Sequence, residues 1–155
     1  MRISRISLSP IETVKNIRLS VEEDNWGDIV SIIELHSTIS EDALFQIEDF
    51  SHAVILYYFY LVEDSKIEMG ARHPRNNKGW PKVGIFAQRG KNRPNRLGAT
   101  IVKVIKRDGN QLFVQGLDAI DGTSVLDIKP VMKEFLSREE VRQPKQATEL
   151  MKNYW

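Results

Sequence analysis

Residues 53–62 (AVILYYFYLV) form an unbroken apolar and aromatic run without a single charge. Ten residues are about half of what a membrane-crossing helix requires. The β-branched and aromatic content instead predicts a strand, either buried on both faces or with one face in the core and the other at a subunit contact. Most of the remaining pattern is also strand-like. Residues 3–8 alternate and stop at Ser9-Pro10, and residues 28–35 (DIVSIIEL), 83–88 and 123–128 read the same way. Residues 99–106 and 111–116 flank Asp108-Gly109-Asn110, which predicts a hairpin because glycine tolerates the positive φ of such turns. Helical signals are few. Ser40 is a candidate N-cap, with Glu41 and Asp42 in the first turn of a short helix to about Ile47. The tail from Ala147 spaces Leu150, Met151 and Tyr154 helically, and residues 72–82 (RHPRNNKGWPK) are irregular. Many short strands without a repeat or linker predict a mainly β chain. The expected architecture is one small β-barrel domain over residues 1–155, with short peripheral helices and a C-terminal extension of about 134–155 packed on it.

Charge divides the chain sharply. Residues 69–107 carry eleven Lys or Arg and no Asp or Glu, although the whole chain has 22 basic and 21 acidic residues. A net charge of +1 thus conceals a segment of +11 and a remainder of −10. Such asymmetry predicts a phosphate-bearing partner, since clustered cations concentrate anions and release counterions from nucleic acid. The alternative is a solvated basic loop folded against the acidic remainder.

Several chemistries lack the residues they need. With no cysteine there is no disulfide, thiolate metal site or cysteine nucleophile. His36, His52 and His73 are dispersed without metal-ligand spacing, so no metal is expected. There is no G-x-G-x-x-G after a strand, no G-x-x-x-x-G-K-[ST] loop and no G-x-S-x-G elbow. The N-terminus, MRISRISLSP, lacks the apolar stretch of a secretory signal, so the expectation is a cytoplasmic protein without membrane association.

Two blocks concentrate the remaining chemistry. GIFAQRGKNRPNRLG (residues 84–98) is basic and glycine-punctuated, with Arg89, Arg93 and Asn95 close together. LDAIDGTSVLDIKP (residues 117–130) places Asp121 and Asp127 around an Asp-Gly turn. The first resembles the G-x-F-A-x-R-x-x-x-R-P-N-x-[IL]-G signature of the TrmO/YaeB family, and the second that family's L-D-x-x-D-G-T-P-V-L-D-I-K-P. Residues 47–59 (IEDFSHAVILYYF), 72–75 (RHPR) and the opening RISLSP are similar to three more of its segments.

That resemblance implies an S-adenosylmethionine-dependent methyltransferase on a small β-barrel, usually a homodimer with the cofactor near the subunit contact. It also implies tRNA as substrate, at the N6 position of N6-threonylcarbamoyladenosine beside the anticodon. The family's cofactor contacts map onto Arg89, onto Ala119, Ile120, Asp121 and Gly122, and near Tyr60, Leu61, Leu97 and Ala99. The mapping suits the ligand, because adenine needs an apolar slot, ribose hydroxyls need acceptors and a carboxylate needs a cation. Asp121 is alternatively a plain turn residue. Trp26, in the divergent segment 23–27 (EDNWG), is a candidate for stacking on the cofactor or for the core or interface. Arg72, Arg75, Lys91, Arg93, Asn95 and Lys129 are the candidates for an RNA face, since arginine forks pair with phosphate and stack on bases. Arg93 paired with Asp127, and Asp127 and Lys129 as fold residues, are the structural alternatives. No residue stands out as a general base. A methyltransferase of this fold with another acceptor, or a non-catalytic RNA-binding module, would share most of these features.

Overall fold

The computed structural model describes residues 4–155. Its strands are β1 (Glu12–Lys15), β2 (Val30–Glu34), β3 (His52–Tyr58), β4 (Ala71–Arg72), β5 (Val83–Gly84), β6 (Leu97–Asp108), β7 (Gln111–Gln115) and β8 (Ser124–Pro130). Six of them close a barrel in the order β1-β2-β7-β6-β3-β8, antiparallel throughout, while β4 and β5 pair as a separate ribbon. Closure leaves the barrel with no unpaired edge, which suits a chain of short strands.

The apolar run becomes β3 through strict alternation. Ala53, Ile55 and Tyr57 point inward and are buried, whereas Val54, Leu56 and Tyr58 face outward and are half-buried. It is therefore not buried on both faces. Val14, Ile33, Ile55, Val102, Leu112, Val114, Leu117 and Val125 fill the interior with Tyr57. Each such aliphatic side chain contributes roughly 1.5–3 kcal/mol relative to exposure. The predicted hairpin forms, with Gly109 at φ 57° between β6 and β7. Longer than expected, β6 reaches from Leu97 to Asp108 and pairs with all of β3.

Three expectations need correction. Residues 4–8 form no ladder (Ile3 lies outside the described residues), and the first strand is instead the polar Glu12–Lys15, in which only Val14 is buried. The helix predicted from Ser40 is two short 3₁₀ turns, Glu41–Leu44 and Ile47–Asp49. Ser40 Oγ does accept the Asp42 amide, but Gln46 at φ 68° interrupts the coil. Residues 83–88 remain extended only through Gly84, then turn at Ile85–Ala87. The Gln88 side chain draws the segment back by donating to the carbonyls of Arg72 (3.0 Å) and Val83 (2.9 Å).

The C-terminal segment carries the one α-helix among the described residues, α1 (Lys145–Leu150), followed by turns that lay the chain against residues 25–27. Asn25 donates its amide to the Asn153 carbonyl at 2.9 Å, and Trp26 to that of Tyr154 at 2.8 Å. Trp26, Ile29 and Ile120 make a second, smaller core against which Tyr154 packs. No helix among the described residues is long and apolar enough to cross a membrane.

Candidate functional site

Where β3 and β6 pair, Tyr57 lies directly opposite Gly98. A Cβ on Gly98 would sit 2.9 Å from Tyr57 Cε1 and closer still to Cζ and Cε2, so the ring covers the glycine. That close approach carries the phenol of Tyr57, 2% exposed, across the barrel to Asp118, whose Oδ1 accepts from it at 2.9 Å. Thr100 Oγ1 also donates to Asp118 Oδ1, and the Tyr154 hydroxyl donates to Oδ2. Three hydroxyls from β3, β6 and the C-terminal segment therefore converge on one carboxylate. Asp118 lines a cleft of ≈ 430 Å³ with Phe59, Phe86, Arg89, Leu97 and Ala99. An ionised carboxylate offers about four lone-pair positions. Three are taken by hydroxyls, two on Oδ1 and one on Oδ2.

Burial, and then the neighbouring Asp118 carboxylate, hold the Tyr57 phenol well above its ordinary range. The same two causes raise Tyr154, with Arg89 and Arg75 opposing them. Both phenols therefore stay protonated and serve as donors to Asp118. In the unfolded chain they ionise near pH 10. Stability linked to them is complete below that pH and is lost as pH rises towards the higher folded values. We expect the wild-type minus Tyr154→Phe difference in alkaline tyrosinate absorbance to titrate clearly above pH 10. A difference midpoint at pH 10 or lower would mean that Tyr154 is not held in this way.

The cleft brings Arg89, Leu97 and Ala99 together with Arg93 and Asn95. Arg89 donates through Nη2 to the Ala99 carbonyl, leaving its other donors for a ligand. Leu97 and Asn95 also line a larger neighbouring cleft of ≈ 940 Å³, which Tyr60 enters from the end of β3. The Tyr60 hydroxyl donates to the Asp121 carbonyl at 3.2 Å, close to Gly122, which takes φ 82°. Leu61 is exposed beside it.

Other candidates are placed differently. Asp121 spends Oδ1 on the Asn16 amide (3.0 Å), clamping the end of β1 to the 118–122 loop. Ala119 and Ile120 are buried, so their backbone shapes the loop while their side chains belong to the core. Trp26 is 3% exposed, with the Arg18 guanidinium 4.8 Å from its ring centroid, and it braces the loop from within instead of offering a face for stacking. Arg93 donates through Nη1 to the carbonyls of Gln88 (2.8 Å) and Gly90 (3.3 Å), which sets the arginine loop. Its suggested partner Asp127 instead meets Lys129 at 3.0 Å. Lys129 pairs in register with Val54, four residues from Tyr58 at the cleft end of β3, and so does not join the cleft.

Arg75 is the clearest departure from an RNA face. Its guanidinium grips Asp24 bidentately at 2.8 and 3.1 Å and reaches Glu23 at 3.6 Å. Arg96 and Arg107 are likewise committed, to Asp64 and Glu48. Three of the eleven cations are thus paired, and the other eight have no carboxylate partner among the described residues. Of these, Arg72 bonds Asn76 at 2.6 Å, and Lys91 is exposed on the arginine loop. Sequence reasoning missed Asp118. Its position at the head of L-D-x-x-D-G, between the apolar Leu117 and Ala119, was the available signal.

A family model described as the tRNA-methyltransferase O N-terminal domain matches residues 6–136. A probable S-adenosyl-L-methionine-binding protein of Pyrococcus abyssi is 34% identical over 134 residues, covering 86% of this chain and 68% of that protein. The tRNA (adenine(37)-N6)-methyltransferase of Homo sapiens is 38% identical over 104 residues, 67% of this chain but only 23% of the human one. A crystal structure of TrmO from Pseudomonas aeruginosa superposes with a TM-score of 0.72 at 25% identity, over 90% of this chain and 62% of that one.

Proposed function

The chain belongs to the tRNA-methyltransferase O N-terminal domain family, and from that premise we propose that it is an S-adenosylmethionine-dependent methyltransferase acting on tRNA. The acceptor in this reading is the N6 position of N6-threonylcarbamoyladenosine beside the anticodon, and the working form is a cytoplasmic homodimer. The observation that carries the proposal is the cleft in which Arg89, Leu97 and Ala99 meet the Asp118 carboxylate.

The donor set fits S-adenosylmethionine. Phe59, Phe86 and Leu97 supply apolar wall, Arg89 a cation for a carboxylate, and Asp118 an acceptor for an ammonium group or a hydroxyl. When bound, the cofactor supplies a methyl group on a sulfonium, itself a reactive electrophile. What remains for the chain is positioning, which can account for much of such a rate enhancement. The apolar walls exclude water, Asp118 and Arg89 fix the two ends of a bipolar ligand, and the Tyr60–Asp121 hydrogen bond holds the rim between the clefts. The exposed Lys91 and Asn95, with Arg72, supply the RNA-facing side. Ile101 and Ile105 of β6 and Val30 of β2 are outward-facing apolar side chains that a second copy would cover.

Titration of S-adenosylmethionine into the purified protein, followed by methylation of tRNA lacking the modification, tests the reading. Arg89→Ala should weaken cofactor binding by roughly 10–100-fold, the range for a lost charged hydrogen bond. Binding that is indifferent to Arg89→Ala would remove the cleft from the proposal. A binding-competent protein that labels no tRNA would redirect it to another acceptor.

A further inference from the structure

The matched family region ends at residue 136, yet one of the three hydroxyls on Asp118 comes from residue 154. The tail that brings it is held at several points. Asn25 and Trp26 donate their amides to it, and Trp80 Nε1 donates to Glu149 Oε2 at 3.3 Å. At Gly27 the backbones approach so closely that a Cβ would lie 2.9 Å from the carbonyl carbon of Trp155. The Tyr154 ring also packs edge-to-face on Trp155, with centroids 4.8 Å apart. These contacts fix the phenol in direction as well as in place.

Tyr154 reaches Asp118 from the side of the second core and does not line the cleft. The tail is therefore a rear wall and not a plug. Its hydroxyl occupies one lone-pair position of Oδ2, so the remaining one points in a defined direction. Without that bond, Oδ2 would have no fixed partner, because Tyr57 and Thr100 both bind Oδ1. Arg89 presents positive charge in the same cleft. A ligand held between the two must carry an anionic and a cationic or hydroxyl-bearing end.

We propose that the C-terminal segment completes the binding site in this chain, with Tyr154 acting as a positioning residue that orients Asp118 Oδ2 towards the donor groups of the amino-acid or ribose end of the cofactor. This rests on the reading of the cleft as an S-adenosylmethionine site. The family-matched region supplies two of the three hydroxyls, and the tail supplies the third.

The test is calorimetric titration of S-adenosylhomocysteine into the full chain and its Tyr154→Phe variant, with Lys152→Ala as a control on the same tail. Phenylalanine keeps the ring packing and the backbone bonds, so the melting temperature should change little while affinity falls about tenfold. In methylation assays KM for S-adenosylmethionine should rise with kcat preserved, a split that general loosening of the fold would not produce. Unchanged affinity in Tyr154→Phe would overturn the inference, and tighter binding would show the tail to be an obstruction instead. Absence of binding by the wild-type chain would remove the cofactor reading itself, a result distinct from either.

Discussion

Replacing Gly98 with alanine is expected to destabilise the protein by roughly 3–5 kcal/mol, combining overpacking of about 1–3 kcal/mol with the loss of a buried hydrogen bond. The added methyl meets three ring atoms of Tyr57, the closest of which leave no room for adjustment by tenths of an ångström. The ring cannot swing away freely. Its hydroxyl is bonded to Asp118, its edge packs on Phe59 with centroids 5.3 Å apart, and its backbone sits in both the β3–β6 and β3–β8 ladders. Either the strands separate locally or the phenol leaves its acceptor. In urea unfolding the midpoint should fall with little change in slope. Since whole domains are stable by only about 5–15 kcal/mol, the variant will be marginal at physiological temperature. Gly90→Ala is the matched control, because nothing lies within 4 Å of a Cβ there. If Gly98→Ala were as stable as Gly90→Ala, the packing of Tyr57 on that glycine would be wrong.

The barrel was legible wherever local chemistry and global pairing agreed. Asp108-Gly109-Asn110 announced the β6–β7 turn, and the alternation of residues 53–58 announced β3. Signals failed where a residue's conformation is set by something distant. β1 has one buried apolar residue in four and no pattern of its own; it is a strand because β2 and β8 pair with it. Residues 4–8 alternate without a partner and form nothing. A left-handed Gln46, which its side chain does not advertise, divides the expected helix in two.

The site divides along the same line. Arg89, Asn95 and Leu97 lie within one motif, residues 84–98, and Ala99 directly follows it. Asp118 and Tyr154 are 36 positions apart, and Arg75 and Asp24 are 51 apart, so no local pattern could couple either pair. The charge map was informative about sign but not about commitment. Arg75 belongs by sequence to the basic segment and by structure to the acidic 23–24 loop, where it fastens the segment preceding Trp26 to the loop after β4. A cation paired bidentately and mostly buried has few donors left for phosphate. Arg72 and Lys91 have no such carboxylate partner, and they carry the RNA-facing part of the proposal.

Substituting Asp118 is expected to have the largest combined effect on stability and binding. In Asp118→Ala, Tyr57 and Thr100 keep buried hydroxyls with only each other at 3.5 Å and, for Tyr57, the residue-118 carbonyl at 3.4 Å, both poor hydrogen bonds. A buried polar group left unsatisfied costs about 1–3 kcal/mol, so a loss of roughly 2–4 kcal/mol follows for the pair. Asp118→Asn separates shape from charge. It keeps an acceptor oxygen for one side of the cluster but presents a donor to the other, where a hydroxyl must turn round or go unpaired. Stability should therefore rank wild type, then Asp118→Asn, then Asp118→Ala, while both variants lose S-adenosylmethionine affinity by tenfold or more because each removes the carboxylate that shares the cleft with Arg89. Denaturant unfolding and calorimetric titration on the same preparations measure the two effects independently. Wild-type affinity in Asp118→Asn would mean that the carboxylate only pins the fold, and the cleft's polar anchor would have to be sought elsewhere. Wild-type stability in Asp118→Ala would mean that the three hydroxyls do not converge on it at all. The carboxylate matters to both quantities for one reason: the hydroxyls that hold it in place also determine which of its lone pairs remains for a ligand.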